Sequence, residues 1–274
     1  MTARLAERPA VPRATAVLVT GASGGIGRAV ARAYAGPGTT LVLHGRDASA
    51  LEAVGAECLA AGAAVLIWQQ DIADTTAVRD WLTRFSSHTP LDIAVVNAAM
   101  GSFVTTPAGE SWHDIDAVVR TNLLGAMATV DGVLPAMRAR GRGQIALVSS
   151  LAAWHGVAMM PAYSASKAGL KAYAESLRGW LAAEGIRISL VLPGFVESEL
   201  ARRTPGPKPF MITPGRAARA IVKGLARNRA RIAFPAPLAF SNWLLGVLPP
   251  DVSRRILAWT GFGAPSASSN PRRV

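Results

Sequence analysis

Short, uninterrupted apolar runs recur along the chain, separated by longer stretches in which apolar residues return every three or four positions. The runs lie at 16–20, 40–44, 64–69, 93–97, 144–149, 187–192 and 231–234, and each predicts a strand. Helices are predicted between them over 26–35, 48–61, 74–85 and 112–139. A further helix carries Tyr163 and Lys167 as far as residue 183, and another starts at Thr213-Pro214. Gly36-Pro37-Gly38 stops the first helix, and Pro193-Gly194 closes the sixth strand. Strands that alternate with helices, and that are continuously apolar, belong to a parallel sheet covered on both faces. The expectation is therefore an α/β chain with a single doubly wound domain of about seven strands. It spans 15–235, with a loose arm at 1–14, an apolar extension at 236–262 and a disordered tail at 263–274.

Composition supports one large core. Half of the 274 residues are hydrophobic and 17% are charged, which excludes a globally disordered chain. The single cysteine, Cys58, rules out an internal disulfide and reads as a buried or inert thiol. His44, His88, His113 and His155 lack ligand spacing, so they read as surface or loop histidines and no metal is expected. The net charge of +12 is spread along the chain in short arginine clusters. No basic helix interleaved with aromatics appears, so no nucleic-acid partner is expected. Residues 1–15 lack the apolar stretch of a secretory signal, and a cytoplasmic location is expected.

Two places carry candidate chemistry. Thr20-Gly21-Ala22-Ser23-Gly24-Gly25-Ile26-Gly27 joins the first strand to the first helix. Glycines there let the backbone approach a pyrophosphate at a helix N-terminus, a Rossmann-type arrangement. The second strand ends in His44-Gly45-Arg46, without the carboxylate that would select an adenosine 2′-hydroxyl. Arg46 suits a 2′-phosphate, which favours NADP(H) over NAD(H). The second place is Tyr163 and Lys167, four residues apart and so on one helical face. An ammonium beside a phenol favours the phenolate, and bringing a phenol from its pKa near ~10 into the neutral range takes about 3–4 kcal/mol.

With these elements in place, the chain resembles the short-chain dehydrogenase/reductase family over residues 14–234. Thr20 to Gly27 matches the family's T-G-x-x-x-G-x-G loop, with Thr20, Gly21, Ser23, Gly25, Ile26 and Gly27 at the cofactor. Asp71, followed by Ile72, is similar to the acidic residue that holds the adenine ring. Asn97-Ala98-Ala99 resembles N-A-G with alanine in place of its glycine, and Val96 stands where many members have asparagine. Many NADP-using members carry a basic residue where this chain has Gly24. The resemblance implies Asn122, Ser150, Tyr163 and Lys167 as the catalytic set, and Pro193, Gly194, Val196 and Ser198 around the nicotinamide. By the family pattern, Tyr163 gives a proton to the developing alkoxide and Ser150 stabilises the same oxygen. Lys167 lowers the Tyr163 pKa and binds ribose hydroxyls. Asn122 holds a water that links Lys167 to solvent. The implied reaction is hydride exchange between NADP(H) and a carbonyl or alcohol carbon.

Apolar residues cluster at Trp154, His155, Met159 and Met160, and again at Phe195, Leu200, Phe210 and Met211, the regions that line the family's substrate cleft. They imply a small hydrophobic ketone, aldehyde or secondary alcohol as substrate. A homodimer or homotetramer is expected. The extension is too short and interrupted to span a bilayer. Capping the pocket, packing in an oligomer and lying on a membrane surface remain open for it. Alternatives for the whole chain are a non-catalytic NADP-binding sensor or a peripheral membrane protein on the same fold.

Overall fold

The computed structural model describes residues 16–104 and 108–261. The arm at 1–14, the tail at 263–274 and Phe262 of the extension lie outside the described residues. Seven strands form one sheet: β1 Ala16–Thr20, β2 Thr40–Gly45, β3 Ala64–Gln69, β4 Ile93–Val96, β5 Gly143–Val148, β6 Ile186–Pro193 and β7 Arg231–Phe234. Their order is β3-β2-β1-β4-β5-β6-β7, and every pairing is parallel.

Successive residues of a strand point to opposite faces, and here both faces are buried. Leu18, Val42 and Leu147 face a layer made by α3 (Thr75–His88), α5 (Gly125–Ala139) and α6 (Pro161–Leu181). Val17, Leu43 and Val148 face α1 (Gly25–Tyr34), α2 (Ala48–Ala60) and α8 (Pro214–Ala226). This two-sided burial explains why the strands read as unbroken apolar runs. The exception is β3, where Leu66 and Ile67 remain exposed because, among the described residues, no strand pairs with its outer edge.

Helix starts follow from local chemistry. Asp47, Asp74 and Ser111 accept from the backbone N–H groups of Ala50, Ala77 and Asp114 at the openings of α2, α3 and α4 (Trp112–Val119). Thr213 caps α8, with Pro214 in its first turn. The predicted 112–139 helix forms, with a π-helical turn over Arg120–Leu124 between α4 and α5.

The extension forms two helices, α9 (Ala236–Val247) and α10 (Pro250–Trp259). Ser253 donates to the Leu245 carbonyl at 2.8 Å and ties them together. Gly246 lets α9 approach the Trp154 carbonyl, since a Cβ there would sit 2.6 Å from its oxygen. A Cβ on Gly194 would likewise meet Leu238 at 2.7 Å. The extension therefore rests on the loops that follow β5 and β6.

Candidate active site

Between β1 and β4 the connections diverge to opposite faces of the sheet, leaving a crevice at the strands' C-terminal ends. A cavity of about 690 Å³ opens there and continues under α9 and α10. Its floor carries the glycine loop, its far end the C-terminal hairpin, and Tyr163 and Ser150 lie on its wall.

The glycine loop is built as an anion cradle. Gly24, the residue before α1, has no side chain to cap the helix, and the first turn holds no acidic residue. The first helical bond runs from Arg28 N–H to the Gly24 carbonyl at 2.7 Å, so the preceding amides are left to face the crevice. Gly21 has a positive φ of 65°, and a Cβ on Gly27 would stand 2.1 Å from the Gly21 carbonyl oxygen. Asn97 braces this turn by donating to the Thr20 and Gly21 carbonyls at 3.1 and 3.2 Å. The Thr20 hydroxyl accepts from the Asn97 and Ala98 amides at 2.9 and 3.1 Å, locking β1 to the end of β4. These features fit a dinucleotide pyrophosphate.

At the end of β2, Arg46 is exposed and lines the cavity, and its guanidinium has no ion pair among the described residues. Asp47, the nearest acid, is spent on capping α2 through Ala50 and Ser49. Across from it, Asp71 lines the rim and accepts from the Ala73 amide at 2.9 Å. The reading of His44 as a surface or loop histidine is corrected. It is 1% exposed, and burial pushes its pKa down to about 4 against a smaller upward pull from the Gln70 backbone and Asp71. Its ring packs against Trp68, which stacks on Trp81 and, through it, on Phe85.

Ser150, Tyr163 and Lys167 converge from the turn after β5 and from α6. Ser150 lies two residues beyond β5 and opens a 3-10 turn at Leu151–Ala153, where its hydroxyl accepts from the Ala152 amide at 3.1 Å. The same hydroxyl lies near enough to the Tyr163 phenol to pull its pKa downward. One turn along α6, Lys167 is 2% exposed and donates to the Val148 carbonyl at 2.9 Å. Its Nζ lies 5.7 Å from the Tyr163 ring centre.

The charge balance differs from the expectation that Lys167 lowers the Tyr163 pKa. Burial pushes Tyr163 up, and the opposing pull comes from Ser150. Burial also brings Lys167 down to about 7, so near neutrality its charge is only partial. The phenol is thus held in its neutral form.

Asn122 sits at the centre of the π turn and is fully buried. Its carbonyl oxygen accepts from the Met100 amide at 2.8 Å, and its amide donates to the Met100 carbonyl at 2.9 Å and to Ser166 at 3.1 Å. Both donors are used. The side chain thus clamps the segment after β4 onto α6.

A family model described as short chain dehydrogenase matches residues 15–207. The chain belongs to that family. It is 38% identical over 233 residues to an uncharacterized oxidoreductase of Myxococcus xanthus, covering 85% of this chain and 92% of the relative. A short-chain dehydrogenase from Sphingobium yanoikuyae in complex with NADPH superposes with a TM-score of 0.75 at 25% identity, covering 94% of this chain and 99% of that one. A metagenomic short-chain oxidoreductase in complex with NADP gives a TM-score of 0.69 at 31% identity, covering 80% and 96%.

In this short-chain dehydrogenase, most residues picked from the sequence share the cavity wall. Gly21, Ser23, Gly25, Ile26, Arg46 and Asp71 line it, as do Ile72, Asn97, Tyr163, Lys167, Pro193, Gly194, Val196 and Ser198. Thr20, Gly27 and Asn122 stand behind the wall and shape it. Ser198 has a structural duty too, accepting from Ala201 to cap α7 (Glu199–Arg203). Of the predicted substrate residues, Met159, Met160, Phe195, Leu200 and Phe210 line the cavity. Trp154 and His155 line a separate cavity, and Met211 lines neither. Sequence reasoning missed His44, Thr121 and the Val148 carbonyl, and left the hairpin's Leu238, Leu245, Leu248 and Leu257 without a placement. The proline openings and helical spacing of the extension were the available signal for those leucines.

Proposed function

We propose that this short-chain dehydrogenase exchanges hydride between NADP(H) and an apolar ketone, aldehyde or secondary alcohol, with Tyr163 as the proton donor or acceptor. The observation that carries this reading is the buried, neutral Tyr163 phenol, beside Ser150 on the wall of a cavity that continues from a nucleotide crevice into an apolar chamber.

The bound cofactor supplies the hydride; the rest is work for the chain's own residues. A carbonyl oxygen placed between Ser150 and Tyr163 receives a hydrogen bond from the hydroxyl and the proton from the phenol as negative charge develops on it. The phenolate left behind gains from a nearby cation. In its protonated form Lys167, with Nζ 5.7 Å from the phenol ring centre, stabilises that charge. Asn122 holds the Met100 segment, which lines the cavity and packs in the same apolar cluster as Tyr163. The chamber beyond Tyr163 is walled by Met159, Met160, Leu238, Leu245 and Leu257. Among the described residues, the carboxylate at its edge, Glu199, is exposed and paired with Arg202 at 2.7 Å. That lining supports an uncharged, hydrophobic substrate, and the unpaired Arg46 supports NADP(H) over NAD(H).

A panel of carbonyls and alcohols with NADPH and NADH in parallel tests the reading, with Tyr163→Phe as the control. The variant is expected to lose about 10²–10⁴-fold in kcat while keeping its affinity for NADPH. Turnover close to wild type would refute the assignment, and NADPH binding without turnover of any panel member would favour a cofactor sensor.

A further inference from the structure

The hairpin of α9 and α10 has two apolar faces. The inner one walls the substrate chamber; the outer one is bare. On α9, Phe240, Trp243, Leu244 and Val247 fall at i, i+3, i+4 and i+7 and form one stripe, with Phe240 and Val247 each 62% exposed. On α10, Val252, Ile256 and Trp259 form a second stripe, and Trp259 is 89% exposed. Helices packed only for stability turn such stripes inward.

The charge around these stripes has one sign. No charged residue occurs in α9. On α10, Asp251 is matched by Arg254 at 3.6 Å, which leaves Arg255 beside the stripe as net positive charge. Lys208 comes from the neighbouring loop, whose Gly206 lies against Gly261 at the end of α10. The chain as a whole carries +12.

The chamber reaches the surface within this face. Leu244 and Ile256 line the cavity and are 40% and 37% exposed, and the exposed Phe210 stands at the same rim. A second protein copy seated here would close that opening. A lipid surface would extend the apolar phase up to it.

We propose that the outer face of the α9–α10 hairpin docks on an anionic bilayer surface, so that the chamber draws its apolar substrate from lipid. Tryptophans and phenylalanine on the apolar side, with flanking arginine and lysine, suit the headgroup boundary. Twelve- and ten-residue helices lie in the interface rather than span it. Docking is independent of the chemistry; delivery rests on the oxidoreductase reading above.

The test is flotation of the full chain with two kinds of vesicle, phosphatidylcholine alone and phosphatidylcholine with about one-third phosphatidylglycerol. The wild type is expected to float with the anionic vesicles and to release as salt rises. Trp243→Glu combined with Trp259→Glu is expected to weaken binding by about tenfold or more. Neither tryptophan lines the cavity, so NADPH affinity and turnover of a water-soluble ketone are expected to hold. Arg255→Glu, a milder surface change, is expected to weaken binding to anionic vesicles only. Equal flotation of wild type and both variants, or no flotation of the wild type, overturns the proposal. A wild-type dimer that the tryptophan variant breaks, without lipid binding by either, assigns the face to a second copy and also overturns it. Flotation with no activity on any ketone leaves docking standing and refutes delivery together with the oxidoreductase reading.

Discussion

Replacing Lys167 by methionine separates what this side chain costs the fold from what it gives the site. Lys167 is 2% exposed, and burial brings its pKa from 10.5 to about 7. A lysine whose folded value lies below its unfolded value loses its proton first in the folded state. Between about pH 7 and 10 the unfolded chain therefore holds a proton that the folded chain has given up, and stability rises with pH at about 1.4 kcal/mol per unit. Between pH 6 and pH 9 this one group makes the wild type about 3 kcal/mol more stable at the alkaline end. Lys167→Met removes that slope. It also leaves the Val148 carbonyl without its donor, at a cost of about 1–3 kcal/mol. That cost is the same at every pH and cancels in the comparison. Cys58 and Tyr163, both raised by burial, act in the opposite sense at higher pH and are common to both proteins. Urea unfolding of the cofactor-free chain at several pH values between 6 and 9 measures the difference directly. The variant is expected to gain on the wild type as pH falls, while its turnover collapses. Parallel stability curves for the two proteins would show that Lys167 keeps an ordinary pKa, and would refute its partial charge near neutrality.

Arg46→Ala is expected to raise the KM for NADPH by about 10–100-fold through loss of a charge-assisted phosphate contact, with little change for NADH. Equal losses with both cofactors, in steady-state kinetics, would place the 2′-phosphate elsewhere. Asn122→Ala removes three hydrogen bonds and leaves both polar groups of Met100 unpaired, so a loss of about 2–4 kcal/mol in urea unfolding is expected. An unchanged unfolding midpoint would show that the clamp is not made in solution.

The alternation of strands and helices was legible because each parallel strand sits between two buried layers and therefore reads as an unbroken apolar run. The glycine loop was legible because its backbone must turn at Gly21 and pass close to Gly27, which side chains would block. What the chain hid were properties of assembly. The apolar rhythm from Trp112 to Ala139 runs on through Arg120–Leu124, so nothing local marks the π turn. The pKa of Lys167 is set by the layers closing over it, not by its spacing from Tyr163. His44 has a polar name and a buried place, and only the neighbouring Trp68 ring explains how the strand carries it inward. Thr20 and Gly27 sit within the right motif but behind the wall, because the loop folds back onto β4 rather than outward.

The π turn at Arg120–Leu124 carries a further meaning. A π turn holds one residue more than the α-helical turn it replaces, which rotates whatever follows by roughly 100° relative to an uninterrupted helix. Here α4 on one side packs against α6, and α5 on the other packs against α3. The extra residue lets a single rod serve two neighbours in different phases, and Asn122 stands at the phase change. Shortening the rod by one residue there would leave the sheet and its two flanking layers with their partners, yet turn Asn122 away from Met100. Folding and site assembly are thus written into the same helix as separable instructions, one in its periodicity and the other in a single break of that periodicity.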